Sequence, residues 1–225
     1  MIPRFRAYLF DIDGTLLDSA ADICGSVQQV LSATDCQPVT FDYLKSYIGL
    51  HLLDLFQDIF PNYTPGQHDE LIRQYRAIYP ARGHKQTQVF PGVREGLAEL
   101  KSSDLRLAVV TGKAQDGADS TVAAAGLKDV IDVVLGYTSV ANPKPAPDIA
   151  LLALEKLGAG APEAVIVGDS THDLEMARRA GVRPIAVTYG ALPETVLRAA
   201  APTWVAHSFP EVVRIARGLA NLGTP

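Results

Sequence analysis

The sequence predicts an α/β protein: a doubly wound, Rossmann-like parallel sheet into which a cap of four helices is inserted. Three observations predict this fold class. From residue 91 onward, short apolar runs alternate with helical patterns, as in successive βαβ units. Most of these runs are apolar on both faces, which is typical of strands covered by helices on each side. Residues 18–89 break the alternation because their patterns are helical throughout.

The predicted strands are short apolar runs of four to six residues. They cover residues 7–10, 105–110, 130–135, 164–168, 183–188 and, as a shorter candidate, 203–207. The helices between them carry the usual end signals. One begins near Pro147 and stops at Gly158, and the next starts from a Thr171 cap and stops at Gly181. A closing helix is predicted at 210–220.

The inserted segment contains four helical patterns separated by turn signals, at residues 19–33, 41–49, 52–60 and 68–79. Because a lone strand buries nothing by itself, the first strand must belong to the later sheet. We therefore expect an α/β core domain formed by residues 1–17 and 90–225, and a helical cap domain formed by 18–89. Asp18 and Ser19 are predicted helix N-caps where the chain enters the cap.

Composition excludes several classes of protein. The 225 residues carry a formal net charge of −5 with both signs spread along the chain, which gives no basic run suited to nucleic acid. The apolar run before Asp11 is too short for a signal sequence or a membrane span. Two cysteines offer no disulfide framework. We expect a soluble, cytoplasmic protein that is a monomer or homodimer.

Polar residues follow three of the predicted strands at the point where each strand ends. They are Asp11, Thr111 and Asp169. In an open parallel sheet, ligands bind outside the carboxyl ends of the strands, so these side chains are expected to converge. Lys144 lies in a neighbouring loop rich in proline.

Four motifs occur along the chain in this order: "DIDGT", "VVTGK", "KPAPD" and "GDSTHD". Together they resemble the haloacid dehalogenase-like hydrolase superfamily. The helical insert after the first motif and the wording "PKPAPD…GDSTHDLEMARRAGV" resemble its phosphoglycolate phosphatase-type members. The resemblance implies a Mg²⁺-dependent phosphatase that hydrolyses phosphate monoesters of small metabolites, with 2-phosphoglycolate as one candidate substrate.

The resemblance makes Asp11 the nucleophile that forms an aspartyl-phosphate, and Asp13 the general acid that protonates the leaving alkoxide and then activates water. An ionised carboxylate about 4 Å from a dianionic phosphate is repelled by roughly 8 kcal/mol at an effective dielectric near 20. Positive charge must offset this repulsion. Asp13 must also be protonated at neutral pH, so we expect the site to raise its pKa.

By the same resemblance, Mg²⁺ and Lys144 supply the positive charge. The implied metal residues are Asp11, Asp13 through its backbone carbonyl, Asp169, and Asp173 through water. Thr111 and the amide of Gly112 would bind phosphoryl oxygens. Thr15 would support the nucleophile's loop and belongs to the expected substrate-binding set. Gly112 stands where many such sequences have asparagine, which leaves the choice of substrate open.

Substrate choice is expected to lie in the cap. Tyr47, Gly49 and His51 belong to "YIGLHLLDLF", which resembles the family's substrate loop. Arg73 and Arg76 lie behind them, and a solvated helix face explains both arginines equally well. His172 stays unassigned.

Three alternatives remain open, and a dehalogenase is not among them. Asp13 argues against a dehalogenase, since displacement of halide needs no proton donor. A phosphomutase of the β-phosphoglucomutase type would use the same core, and a pyrophosphatase or nucleotidase would differ only in substrate. A non-catalytic protein that binds phosphorylated metabolites is a different class, but it would be expected to lack one of the aspartates or the lysine.

Overall fold

The computed structural model describes residues 5–82 and 85–218. The strands are β1 (Ala7–Phe10), β2 (Leu17–Asp18), β3 (Gln88–Val89), β4 (Arg106–Thr111), β5 (Val133–Gly136), β6 (Ala164–Gly168), β7 (Arg183–Val187) and β8 (Trp204–Ala206). The helices are α1 (Ala20–Leu31), α2 (Phe41–Lys45), α3 (Leu52–Ile59), α4 (Pro65–Ala81), α5 (Val93–Ser102), α6 (Gln115–Ala124), α7 (Asp148–Leu157), α8 (Thr171–Arg179), α9 (Glu194–Ala199) and α10 (Phe209–Ala216). Within these described residues, no helix combines the length and apolar character needed to cross a bilayer.

Six strands form one parallel sheet in the order β5-β4-β1-β6-β7-β8. β1 lies in the middle, where Tyr8 is opposite Leu107 of β4 on one side and Val165 of β6 on the other. The chain therefore winds outward from β1 in both directions and leaves a crevice at the carboxyl end of β1. The predicted doubly wound fold is confirmed.

The two faces of β1 are buried in different clusters, because successive side chains of a strand point in opposite directions. Tyr8 and Phe10 pack with Phe209 of α10. Ala7 and Leu9 pack on the opposite face, against α7 and α8. Burying each large side chain contributes roughly 1.5–3 kcal/mol, so the strand that ends at Asp11 is anchored on both sides.

Helices α1 to α4 pack together in a separate cluster that includes Cys24, Phe56 and Leu71. The chain enters these helices through β2 and returns through β3, and the two strands pair antiparallel with Leu17 opposite Val89. The sequence did not predict this pairing, since two-residue strands show no periodicity. The pairing holds the two connections side by side.

Most predicted elements are present, with differences at their ends. The sheet strands begin within one residue of the prediction except β5, which starts at Val133 instead of residue 130. Asp132 explains the later start, because its carboxylate accepts a hydrogen bond from the Leu107 amide at 2.8 Å and pairs with Lys101. Helix α10 ends at Ala216, and positions 219–220 of the predicted closing helix lie outside the described residues.

Two of the three predicted helix caps are wrong, and the third is confirmed in position only. Helix α8 is capped by Ser170, whose hydroxyl accepts from the Asp173 amide, and Thr171 is its first helical residue. Asp18 lies in β2 and caps no helix. Ser19 occupies the N-cap position of α1 but makes no side-chain capping bond, because its hydroxyl is used elsewhere.

Candidate active site

The motif residues meet at one edge of the sheet. Asp11 directly follows β1, Thr111 ends β4 and Asp169 directly follows β6. All three strands are parallel neighbours, so their carboxyl ends open onto the same crevice. Each of these side chains is 2% exposed or less. The structure thus brings together residues that the sequence placed far apart.

Lys144 enters the crevice from the loop before α7. Its Nζ donates to Asp11 Oδ1 at 2.8 Å and to Asp173 Oδ1 at 2.6 Å. Burial alone lowers the pKa of this lysine, but the two carboxylates outweigh burial and raise it above its ordinary value. Lys144 is therefore a fixed positive charge beside the expected nucleophile.

Three carboxylates surround one point in the crevice. Asp11, Asp169 and Asp173 each place an oxygen within 4.8 Å of the others. The pKa of Asp11 is raised to about 7, chiefly by burial and also by the carboxylates of Asp173 and Asp13, while Lys144 lowers it. Burial and the same neighbouring charges raise the pKa of Asp169 well above its ordinary value.

The carboxylate cluster fits a divalent cation. Three buried carboxylates against the single charge of Lys144 leave negative charge that a bound cation would neutralise. Asp11 Oδ2 is buried and has no hydrogen-bond partner among the described residues. An all-oxygen donor set suits a hard cation such as Mg²⁺.

Asp169 is held by its surroundings on both oxygens. Oδ1 accepts from the Thr15 hydroxyl at 3.1 Å, and Oδ2 accepts from the Ala191 amide at 2.7 Å. A Cβ on Gly14, whose φ is +84°, would lie 2.0 Å from Asp169 Oδ2, and one on Gly190 would lie 2.3 Å from it. Glycine is required at both positions. The hydroxyl of Thr15 is thus a positioning contact for Asp169, and its expected place among the substrate-binding residues stays a prediction.

Asp173 is fixed at the start of α8. Its Oδ2 accepts from the Ser170 hydroxyl at 2.5 Å, and its amide donates back to that hydroxyl at 3.2 Å. A Cβ on Gly168 would meet Asp173 Cβ at 2.4 Å, so only glycine allows this close approach. The capping box therefore aims the second oxygen of Asp173 at Lys144.

Asp13 lies apart from the carboxylate cluster, although only one residue separates it from Asp11. Its Oδ1 accepts from the Ser19 hydroxyl at 2.5 Å, and its Oδ2 pairs with Lys113 Nζ at 3.0 Å. The Asp13 side chain is thus no member of the expected metal set. Its expected metal contact, through the backbone carbonyl, stays a prediction.

Lys113 is a site residue that the sequence did not single out. It follows the Thr111-Gly112 motif, and its Nζ contacts both Asp13 and the Tyr79 hydroxyl of α4, the latter at 3.1 Å. The same Nζ lies 4.5 Å from the centre of the Tyr79 ring. Its position directly after a phosphate-binding motif was the only available signal, since its partner Tyr79 lies 34 residues away in sequence.

Comparison with known proteins identifies this arrangement. Residues 8–187 match the protein family described as "Haloacid dehalogenase-like hydrolase". The chain belongs to this family. A relative of this hydrolase named "Probable phosphatase IndB", from Dickeya dadantii, is 39% identical and the match covers 96% of this chain and 95% of the relative.

Two further relatives of this haloacid dehalogenase-like hydrolase agree. A protein named "Phosphoglycolate phosphatase" from Neisseria meningitidis is 31% identical, with 94% of this chain and 93% of that protein covered. A crystal structure described as a predicted phosphatase from Clostridium acetobutylicum matches with a TM-score of 0.87 and 26% identity, covering 96% of this chain and 99% of that chain. The family resemblance of the four motifs is confirmed.

In this hydrolase, Thr111 and Gly112 lie under the loop that precedes α3. The Thr111 hydroxyl accepts from the Lys113 amide at 3.3 Å. A Cβ at Gly112 would lie 3.8 Å from the carbonyl oxygens of Gly49 and Leu50, which is an ordinary contact distance. The loop before α3 therefore lies next to Gly112, one of the expected phosphate-binding residues.

Gly49 and His51 lie beside the site. Gly49 has φ of +87°, and a Cβ there would be 3.1 Å from Ser170 Cβ. His51 Nε2 is 3.3 Å from the Lys144 carbonyl oxygen. Tyr47 is placed differently, because its hydroxyl donates to Asp58 of α3 at 2.6 Å. This geometry gives no support to the expected contact of Tyr47 with substrate. For Tyr47, Gly49 and His51 alike, contact with substrate stays a prediction.

The remaining candidates have other partners. Arg73 pairs with Glu70 on the same helix at 2.5 Å, as a solvated helix face predicts. Arg76 donates to the Tyr137 hydroxyl at 2.8 Å and so connects α4 to the segment after β5. Burial lowers the pKa of His172, whose Nδ1 has no partner among the described residues.

Proposed function

We propose that this chain is a Mg²⁺-dependent phosphatase that hydrolyses phosphate monoesters of small metabolites through an aspartyl-phosphate. The observation that carries the proposal is the buried Asp11 carboxylate. One oxygen is held by Lys144 at 2.8 Å, while the other has no partner among the described residues. The family membership and the phosphatase names of the relatives support the same reaction.

Asp11 acts as the nucleophile. Its carboxylate oxygen forms a bond to phosphorus while the bond from phosphorus to the leaving oxygen breaks. Asp11, Asp169 and Asp173 would hold Mg²⁺ with the backbone carbonyl of Asp13. When bound, the ion supplies positive charge that offsets the repulsion between carboxylate and phosphate. Lys144 neutralises part of the same charge and orients Asp11.

Asp13 acts as general acid and then as general base. In the first step its carboxyl proton moves to the leaving oxygen, and in the second it accepts a proton from the water that attacks the aspartyl-phosphate. Ser19 and Lys113 hold both carboxylate oxygens in this structure, so one contact must be released when Asp13 carries the proton. Thr111 and the Gly112 amide donate to the phosphoryl oxygens.

The helices of residues 18–89 act as a cap over this site, and residues 1–17 and 90–225 form the core domain. Gly49, Leu50 and His51 of the cap approach Gly112, Ser170 and Lys144 of the core, as the distances above show. A cap in this position excludes water from the nucleophile and contacts the part of the substrate that is not phosphate.

The test is phosphate release from a panel of phosphorylated acids, sugars, nucleotides and pyrophosphate with Mg²⁺ present. We expect release from at least one monoester, and 2-phosphoglycolate is the first candidate because a relative carries that name. Turnover only after addition of a sugar bisphosphate would indicate a phosphomutase. Release from pyrophosphate alone would indicate a pyrophosphatase.

A second measurement tests for a protein that only binds phosphorylated metabolites. Beryllofluoride mimics a phosphoryl group on an aspartate, so it is expected to stabilise the wild-type protein in the presence of Mg²⁺. Asp11→Asn should abolish that stabilisation. Binding of metabolites with neither turnover nor beryllofluoride trapping would contradict the proposed function.

A further inference from the structure

Lys113 joins Asp13 to helix α4 of the helical unit, which is formed by α1 to α4. It extends from the loop after β4, and its side chain is 12% exposed. On one side its Nζ lies 3.0 Å from Asp13 Oδ2, and on the other it lies 3.1 Å from the Tyr79 hydroxyl of α4. A single ammonium group therefore contacts the expected acid/base residue and the cap at once.

The contacts that Lys113 makes with α4 suit a positively charged group. Nζ lies 4.5 Å from the centre of the Tyr79 ring, within the range of a cation–π interaction. The Tyr79 ring stacks on Tyr75 at 5.5 Å with planes 11° apart, and Tyr79 itself is 8% exposed. The position of α4 thus determines where the ammonium group of Lys113 lies.

Burying an ammonium group is costly unless each of its protons has a good acceptor. Lys113 meets this cost with the Asp13 carboxylate and the Tyr79 hydroxyl. When α4 moves away, the tyrosine contacts are lost and the ammonium group is free to turn toward water. Asp13 then loses a contact that fixes the direction of its carboxylate.

We propose that Lys113 is a positioning residue that aims Asp13 at the leaving oxygen when Tyr79 of the cap packs against it. Lys113 keeps its protons throughout. In the first step the proton moves from Asp13 to the leaving oxygen as the bond to phosphorus breaks, and the resulting carboxylate pairs with Lys113. The inference rests on the proposed function, because it assigns Lys113 an effect on the proton transfer of that reaction.

Leaving-group dependence separates this role from a structural or phosphate-binding one. An alkoxide is a poor leaving group and requires the proton from Asp13, whereas p-nitrophenolate leaves without one. A residue that acts through Asp13 is therefore needed for transfer of the phosphoryl group from alkyl phosphates to Asp11 and much less for transfer from p-nitrophenyl phosphate. The later hydrolysis of the aspartyl-phosphate is common to both substrates, so the comparison uses kcat/KM. A residue that binds the phosphoryl group, or that merely supports the fold, affects both substrates alike.

The experiment compares Lys113→Met with wild type on p-nitrophenyl phosphate and on the best alkyl phosphate of the substrate panel. We expect kcat/KM for the alkyl phosphate, which reports the transfer to Asp11, to fall by about 10²-fold, the lower end of general acid catalysis, while kcat/KM for the aryl phosphate changes by no more than about threefold. In an Asp13→Asn background, Lys113→Met should cause no further loss. Circular dichroism melting checks that each variant is folded.

Tyr79→Phe is the second variant, since it removes only the hydroxyl and keeps the ring over Nζ. We expect a loss with the same preference for the alkyl substrate, of roughly three- to tenfold, consistent with one neutral hydrogen bond. It should add little to Lys113→Met. Lys101→Met is the matched control, because Lys101 pairs with Asp132 on the exposed surface and should leave both activities unchanged.

Three results would overturn the inference: equal losses on both substrates, no loss on either, or a loss that persists undiminished in the Asp13→Asn background. Each of these leaves the proposed function intact. Failure of the wild-type protein to release phosphate from any substrate would instead overturn the proposed function, and the role of Lys113 with it.

Discussion

Asp11 and Asp13 differ in what holds them, although they are two positions apart on the same loop. Asp11 is surrounded by residues of the sheet unit: Lys144 contacts it, and Asp169 and Asp173 lie beside it. Asp13 is held by Ser19, at the entrance to α1, and by a lysine that also contacts α4. The proposed nucleophile is held by residues of the sheet, whereas the proposed acid/base residue also has contacts that involve α4 and the start of α1.

This difference has a physical basis in the two tasks. A nucleophile must stay ionised and close to a cation, so a rigid surround at the ends of buried strands suits it. A general acid must release and regain a proton at the right moment, and coupling it to the cap confines that step to the closed site. The predictions below test whether the surroundings of Asp11 and the surroundings of Asp13 can be disturbed separately.

The largest expected effect comes from replacing each aspartate with asparagine. Asp11→Asn should lower turnover of aryl and alkyl phosphates alike, by at least about a thousandfold, because the nucleophile is lost. Asp13→Asn should lower kcat/KM for alkyl phosphates by about 10²–10⁴-fold and kcat/KM for p-nitrophenyl phosphate much less, because only the alkyl leaving group needs the proton. Steady-state phosphate release measures both. If both variants lost activity on aryl and alkyl phosphates in the same ratio, the proposed division between a nucleophile and a general acid would be contradicted.

Metal removal is expected to act on the Asp11 side only. EDTA should abolish turnover, and excess Mg²⁺ should restore it and raise the melting temperature, since a ligand that binds only the folded state stabilises it. Asp169→Asn should lose the Mg²⁺-dependent rise in melting temperature, while Lys113→Met should keep it. If both variants lost the Mg²⁺-dependent rise in melting temperature, the surroundings of Asp11 and of Asp13 would not be independent.

Two hydroxyl deletions provide a matched pair. Thr15→Val removes the hydrogen bond to Asp169 and should weaken Mg²⁺ affinity about tenfold, at the lower end for a residue that orients a metal ligand. Ser19→Ala removes the hydrogen bond to Asp13 and should slow alkyl phosphates several-fold with unchanged Mg²⁺ affinity, as expected for a hydrogen bond to a charged group. Mg²⁺ titrations of activity with both substrate classes distinguish the two.

The smallest effect is on the stability of the metal-free protein. Burial raises the pKa of Asp11 to about 7 and that of Asp169 well above its ordinary value, so the stabilisation from each group is complete below its ordinary pKa and is lost as pH rises through its raised pKa. Metal-free Asp169→Asn should therefore melt several degrees above metal-free wild type at alkaline pH, at roughly 2–4 °C per kcal/mol, with the difference shrinking as the pH falls. An asparagine can accept from the Ala191 amide and donate to the Thr15 hydroxyl.

Thermal melting in EDTA across this pH range provides the measurement. With saturating Mg²⁺ the order should reverse, because only the wild-type protein keeps the full carboxylate set. If the melting temperatures of the two metal-free proteins differed by the same amount at every pH, Asp169 would not be the source of the greater stability at low pH.

The sequence was most informative where motifs end buried strands. Asp11, Thr111 and Asp169 were found because parallel strands must place their carboxyl ends at one edge, and the sheet order confirms this. The sequence was less informative in the cap. The expected contact of Tyr47 with substrate stays a prediction, and the contact that the structure does show, from its hydroxyl to Asp58, depends on helix packing that no local pattern records.

By itself, the sequence determined the doubly wound sheet and the helical insertion, and its motifs predicted the carboxylate and lysine chemistry through their family resemblance. The fold follows from local periodicity, and the resemblance rests on residue types at fixed places in the motifs. Only the tertiary structure decided that Asp13 turns away from the carboxylate cluster, that Thr15 supports Asp169, and that Lys113 connects Asp13 to Tyr79. Those contacts join residues up to 154 positions apart, and their geometry is set by packing, which no local pattern records.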